Sequence, residues 1–336
     1  MMKDTQYKGV NTLLRVYETK LLTREDYEKM LRAESLQEAL EVLKSTDYHF
    51  DDQEILLNKD FDSFLLYRLR MIYEELYEVT PNSEVVQIFS LRYSYHNAKV
   101  LLKQRFTDLS LEHLLIPIGK YPVTTIKNLV NTQQSAELNP IMIEAVNEAI
   151  ADFETYGRVE AADVFMDTYY YKHMRAITDR LKNETITRVA DVLIDLDNLS
   201  TVVRSINQNK SRSFLHTVLS SSGSIPKQAI INLADQGAVS ILNELYLEKP
   251  YADKLQAVLS DSKDTINPML LDKVIDEIVH ELMEEGKYQP FGPMPVMAFM
   301  FAIEKEITNI RLILVGKDNQ INEDTLRERM RPIYGS

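Results

Sequence analysis

His280-Glu281-Leu282-Met283-Glu284 is the stretch of this 336-residue chain that comes nearest to a catalytic motif. A zinc-hydrolase helix pairs such a His-Glu start with a second histidine at i+4, adds a third ligand, and leaves one position open for water. Here the i+4 position is Glu284 and no third ligand is evident, so the segment reads as the charged face of an amphipathic helix. The six histidines (His49, His96, His113, His173, His216 and His280) are scattered, with no i,i+4 pair and no G-x-S-x-G serine elbow. His96 reads as a packing or surface residue beside Asn97. There are no cysteines, which removes disulfides, thiolate metal sites and cysteine nucleophiles and is compatible with a reducing compartment. Gly316-Lys317-Asp318 lacks the upstream glycine and the hydroxyl residue of a phosphate cradle, and no G-x-G-x-x-G follows a strand. Acidic pairs such as Glu74-Glu75 and Glu284-Glu285 are adjacent rather than opposed, which suits a solvated face and not an acid–base pair. The expectation is a protein that is not an enzyme, with no cofactor and no metal.

The charge balance narrows the partners. With 51 acidic against 38 basic residues the formal charge is −13. That argues against nucleic acid and against direct docking on anionic lipid, and is compatible with a basic protein partner. Tyrosine is abundant, 18 residues against no tryptophan, and the run Tyr169-Tyr170-Tyr171 spreads around a helix so that only part of it can face one core. Exposed tyrosine suits an interface, being large and amphipathic with few rotors. The N-terminal Met1-Met2-Lys3-Asp4-Thr5-Gln6 has no apolar leader core. The longest notable uncharged run, Tyr288 to Ile303, is interrupted by Pro290, Pro293 and Pro295, and is too short and broken to span a bilayer.

Glycines number only 9, and many of the 11 prolines sit where helices could begin or end. The apolar spacing predicts helices over roughly 7–20, 23–33, 35–46, 58–78, 83–106, 122–130, 140–152, 159–181, 186–207, 212–220, 226–234, 238–247, 251–260, 267–285 and 294–315, with one more after Asn322. The chain also repeats itself. Gly119-Lys120-Tyr121-Pro122-Val123-Thr124-Thr125-Ile126-Lys127-Asn128-Leu129 aligns with Gly223-Ser224-Ile225-Pro226-Lys227-Gln228-Ala229-Ile230-Ile231-Asn232-Leu233 as G-x-x-P-x-x-x-I-x-N-L. Pro122 and Pro226 then stand near a first helical position. Val123-Thr124-Thr125-Ile126 alone could pass as a strand, but its aligned partner favours helix. The first third carries a version without proline: Leu22 falls on Ile225, Thr23 replaces Pro226 with Asp26 as its capping partner, and Tyr48 falls on Tyr251. Ser35 with Glu38 is a second capping signature.

Asn97, Asn198 and Asn309 each precede a mostly apolar run with a basic residue nearby, closing each third. A buried amide must find partners, so such an asparagine can tie helices together. The reading is an all-α protein of three similar helical units, 1–110, 111–215 and 216–336, in a ring, funnel or curved stack.

Three stretches resemble one family. Leu13-Leu14-Arg15-Val16-Tyr17-Glu18-Thr19-Lys20-Leu21-Leu22 is similar to its first helix. Leu91-Arg92-Tyr93-Ser94-Tyr95-His96-Asn97-Ala98-Lys99-Val100-Leu101-Leu102 resembles its aromatic, Asn-bearing helix. Pro293 to Gly316, with Glu304, Glu306, Asn309 and Arg311, then Leu326-Arg327-Glu328-Arg329, resembles its C-terminal signature. The family is the C subunit of V-type (A/V-type) ATP synthases and ATPases, known as the d subunit in eukaryotic vacuolar pumps. The resemblance implies a funnel of three helical units with pseudo-threefold symmetry and no active site of its own. It implies a rotor component on the cytoplasmic face of the membrane, a monomer within a larger complex. Its partners would be the central shaft, made by the D and F subunits, and the membrane ring of proteolipid subunits, with torque passing between them for proton or sodium transport. The middle unit departs from the pattern, having no aromatic residue where the first has Tyr95. Arg92, Lys99, Lys103, Arg204 and Arg311 are the candidate contact residues. A helical-repeat adaptor unrelated to a rotary motor is the alternative.

Overall fold

The computed structural model describes residues 4–260 and 265–335; Met1–Lys3, at the head of the segment expected to carry no leader, lie outside them. Among the described residues there are seventeen α-helices and no strand. They are α1 (Lys8–Glu18), α2 (Arg24–Arg32), α3 (Leu36–Lys44), α4 (Asp52–Asn58), α5 (Phe61–Val79), α6 (Ser83–Thr107), α7 (Val123–Thr132), α8 (Pro140–Tyr156) and α9 (Ala161–Leu181). There follow α10 (Glu184–Asn207), α11 (Arg212–Val218), α12 (Lys227–Leu233), α13 (Ala238–Ile241), α14 (Ala252–Ser260), α15 (Pro268–Tyr288), α16 (Met294–Asp318) and α17 (Glu323–Arg329).

Local chemistry sets the ends. Thr23 and Asp26 form the reciprocal capping pair: the Asp26 N–H donates to Thr23 Oγ1 at 3.2 Å and the Thr23 N–H donates to the Asp26 carboxylate at 2.9 Å. Ser35 accepts from the Glu38 N–H, but the Glu38 carboxylate turns to the N–H of Glu34, one residue before the cap. Pro122 and Pro226 stand at the N-caps of α7 and α12. Their missing N–H costs no bond there, and their carbonyls accept from Thr125 at 3.0 Å and Ala229 at 2.9 Å. Val123–Ile126 is helical. One helix is added and one expected helix changes character. Ahead of the predicted 58–78 helix, Asp51 caps the separate α4, Lys59 ends it in the left-handed region at φ 56°, and Asp60 caps α5. The predicted 238–247 helix is α13 followed by a π-helical turn, Leu242–Tyr246.

The described chain forms two compact units, Ser90–Val279 and residues 4–89 with 280–335, the division falling within α6 and α15. In the first unit α8 packs along α9, α10 and α11 pack on α9, and Phe106 stacks on Phe153 with ring centroids 4.0 Å apart. In the second, α16 is the spine, packed on α1, α3 and α5, with α17 against α2 and α16. Eighteen of the 25 residues of α16 are buried, so it has no amphipathic face. Each large apolar side chain buried there contributes about 1.5–3 kcal/mol, enough in sum for the helix to keep Glu304, Glu306 and Asn309 inside.

Candidate interaction surface and the repeated joint

The three repeated asparagines make one and the same contact. Each is only 1% exposed and pairs its amide with both backbone groups of a single residue about twenty positions on. Asn97 donates to the carbonyl of Ile116 (2.7 Å) and accepts from its N–H (2.8 Å). Asn198 does so with Ser220 (2.9 and 2.8 Å), and Asn309 with Arg331 (3.1 and 2.8 Å). The amide thus holds the extended segment after its helix, where the backbone has no helical partner of its own. In the first two cases the clamped residue lies three before the aligned glycine and six before the aligned proline.

Three residues before each asparagine stands a polar group: Ser94, Asp195 and Glu306. Asp195 accepts from the N–H of Ile225 at 3.0 Å, and Glu306 accepts from the N–H of Leu22, the residue aligned with Ile225. Tyr48 donates to Glu306 at 2.8 Å, while its counterpart Tyr251 lies near Asp195, which instead accepts from Ser224 and has Lys249 at 3.7 Å. The glycines are needed for room as much as for backbone freedom. A Cβ on Gly223 would sit 2.3 Å from Asp195 Oδ1, and one on Gly119, at φ +131°, would sit 3.0 Å from Ser94 Oγ. In the Asp195 and Glu306 joints, the helix ending one third of the sequence grips the segment that opens the next; Glu306 makes that link from the last third to the first.

Burial pushes the Glu306 carboxyl up to about 7, against the opposing pull of the Leu22 N–H, the Tyr48 hydroxyl and Arg68. Tyr48 and Tyr27, both buried beside it, are raised well above the ordinary phenol value. In the other unit, burial holds the His173 imidazole down to about 4, with Arg180 and Lys120 adding to the effect; its Nδ1 lies 3.2 Å from the Tyr95 hydroxyl. His173 is therefore a neutral core residue.

Four of the five candidate contact cations, Arg92, Lys99, Lys103 and Arg204, lie in one unit, and Arg311 lies in the other. Arg92 and Lys99 line a cavity of about 560 Å³ bounded by α6, α9, α10 and α11. Arg92 lies over the Tyr93 ring, 5.0 Å from its centroid, and reaches the Tyr93 hydroxyl at 3.1 Å. Lys99 binds Asp167 at 2.7 Å and Asp163 at 3.5 Å, and Lys103 binds Asp163 at 2.8 Å. Arg204 closes on Asp272, and Arg311, in the other unit, closes on Asp62. Lys99, Lys103, Arg204 and Arg311 thus already hold carboxylates of this chain. His280 and Glu284 lie 3.8 Å apart, with Glu284 also accepting from the Gly335 N–H, and no group of three or more metal-binding side chains occurs among the described residues. His96 reaches the Leu114 carbonyl at 2.9 Å. No described helix is long and apolar enough to cross a membrane.

Glu306 stood out in the C-terminal stretch, but the position it shares with Ser94 and Asp195, three before each asparagine, escaped the sequence reading. Its signal was present: Asp195 and Glu306 hold the same register in apolar runs, and Leu22 already aligned with Ile225.

An all-helical chain with a repeated joint of this kind matches the family of the ATP synthase (C/AC39) subunit, whose model covers residues 10–329. The chain belongs to that family. It is 31% identical to the C subunit of the V-type sodium ATPase of Enterococcus hirae, over 98% of this chain and 99% of that one. It is 22% identical to the C subunit of the A-type ATP synthase of Methanocaldococcus jannaschii, over 96% of this chain and 85% of the relative. With the corresponding A-type ATP synthase protein of Pyrococcus abyssi the identity is 20%, over 97% and 90%.

Proposed function

We propose that this chain is the rotor socket of a V-type ATPase: a non-catalytic component that receives the shaft of the D and F subunits and seats it on the proteolipid ring. The observation that carries the reading is the match to the ATP synthase (C/AC39) family along nearly the whole chain. The joint supports it physically. A torque coupler needs modules that do not shear past each other, and a buried amide bonded to both backbone groups of its neighbour resists sliding in either direction. In this reading the joints close three units, 1–110, 111–215 and 216–336, into a funnel on the cytoplasmic face of the membrane. Acidic side chains would orient a basic shaft foot, and Arg92, Lys99, Lys103, Arg204 and Arg311 would exchange their internal contacts for partner groups. The Enterococcus hirae relative is named for sodium, which makes sodium the first ion to assay.

Affinity capture tests the reading against the helical-adaptor alternative. A tagged copy expressed in its own host should bring down shaft and proteolipid subunits together, and charge reversal at the five cations should weaken their recovery. Capture of neither set, with other proteins recovered in their place, would favour the adaptor.

A further inference from the structure

The cavity between α6, α9, α10 and α11 carries a charge that this chain does not answer. Its lining includes the rings of Tyr95, Tyr170, Tyr171 and Phe214. The first three form a contiguous cluster, with centroids 6.0 Å apart for Tyr95 and Tyr170 and 4.7 Å for Tyr170 and Tyr171. Three carboxylates also line it. Asp163 and Asp167 are taken by Lys99, and Asp163 by Lys103 as well. Asp197 differs: it lies beside Tyr171 in the lining, and among the described residues no lysine or arginine reaches it within ion-pair distance. Arg204, two turns further along α10, is held by Asp272 instead. Water can reach Asp197, yet the surrounding protein crowds it. Burial raises its carboxyl above the ordinary range, Asp167 and Asp272 add to the rise, and Tyr171 and Arg204 oppose it. Asp197 is exposed to solvent in the wall of this cavity.

We infer that this cavity receives one lysine or arginine side chain of a partner protein, its cationic head against Asp197 and its methylene stem against the rings of Tyr170, Tyr171 and Phe214. A cation supplies the charge that Asp197 lacks, and aromatic faces attract it further. An anion would face the three carboxylates Asp163, Asp167 and Asp197 against the two cations of the lining, Arg92 and Lys99. A neutral apolar group would bury Asp197 without compensation. At about 560 Å³ the cavity has room for a long side chain and the water around it, and the chain's charge of −13 favours a basic partner at long range. The inference goes beyond the rotor-socket reading and does not require it.

The test titrates the full chain, carrying ring-labelled tyrosine, with N-acetyl-lysine methylamide and N-acetyl-arginine methylamide, followed by NMR. The basic amides should shift the Tyr170 and Tyr171 signals saturably, and Asp197→Asn, which keeps the shape and removes the charge, should weaken binding about five-fold or more. Phe214→Ala, at a half-exposed position, should weaken it as well and serves if the first variant does not fold. Absence of a saturable shift, an equal response to N-acetyl-norleucine methylamide, or unchanged affinity in the variants would overturn the inference. So would spermidine binding more than about ten-fold tighter than either amide, since that would make the pocket a site for a free polyamine.

Discussion

Glu306 shows how a single side chain can be both a joint and a cost. It lies among Tyr27, Tyr48, Arg68 and Asp26, accepts from Leu22 and Tyr48, and is fully enclosed. With its carboxyl at about 7 in the folded chain against an ordinary 4.5, the native state holds this proton more tightly than the unfolded state does. Stability from this group is therefore largest below about pH 4.5, falls as pH rises to about 7, and is flat above. Over that window the term is on the order of 3 kcal/mol. Thermal unfolding across pH should show Glu306→Gln gaining on the wild type from pH 4.5 to 7.5, with no further gain above. A constant difference across that range would mean that folding leaves the Glu306 carboxyl at its unfolded pKa. Nothing in the spacing of α16 announces this, because an acid in an apolar run reads equally well as a surface position until its neighbours from distant sequence are known.

At the scale of the element, sequence is a good guide wherever the determining interactions are local. Thr23 with Asp26, and Asn322, mark helix starts because a cap is satisfied within three residues, and Pro122 and Pro226 because proline has no N–H to leave unpaired there. Helix α4 is not foreseen because its ends depend on the Asp51 cap and on a left-handed Lys59, a conformation that the residue type does not advertise. The repeated asparagines are legible as repeats, but their partners are not. Their type suggests helix tied to helix, whereas each amide holds an extended segment 19 to 22 residues ahead, a contact fixed by tertiary packing. The candidate cations are likewise legible by type, while the carboxylates that hold them come from other helices. Removing a clamp leaves one N–H and one carbonyl buried without a partner, each costing about 1–3 kcal/mol. Asn198→Ala should therefore lower stability by about 2–4 kcal/mol in urea denaturation, where loss of an exposed asparagine would cost under about 0.5 kcal/mol. A change that small would show that the clamp at Ser220 holds nothing.

For the whole molecule, the chain's two ends are brought together. The last long helix, α16, packs on α1, α3 and α5, and Lys317 donates to the carbonyls of Leu31 and Ala33. Arg327 of α17 holds Glu28 of α2. Within the unit formed by residues 4–89 and 280–335, the last long helix completes the packing of the first. The most direct measurement compares membranes of the assembled V-type ATPase with and without this chain, reading ATP hydrolysis and ion uptake together. For a rotor socket, removal abolishes ATP-driven uptake while the detached head still hydrolyses ATP, and adding the purified chain restores uptake. Ion uptake that continues undiminished without the chain would contradict that role.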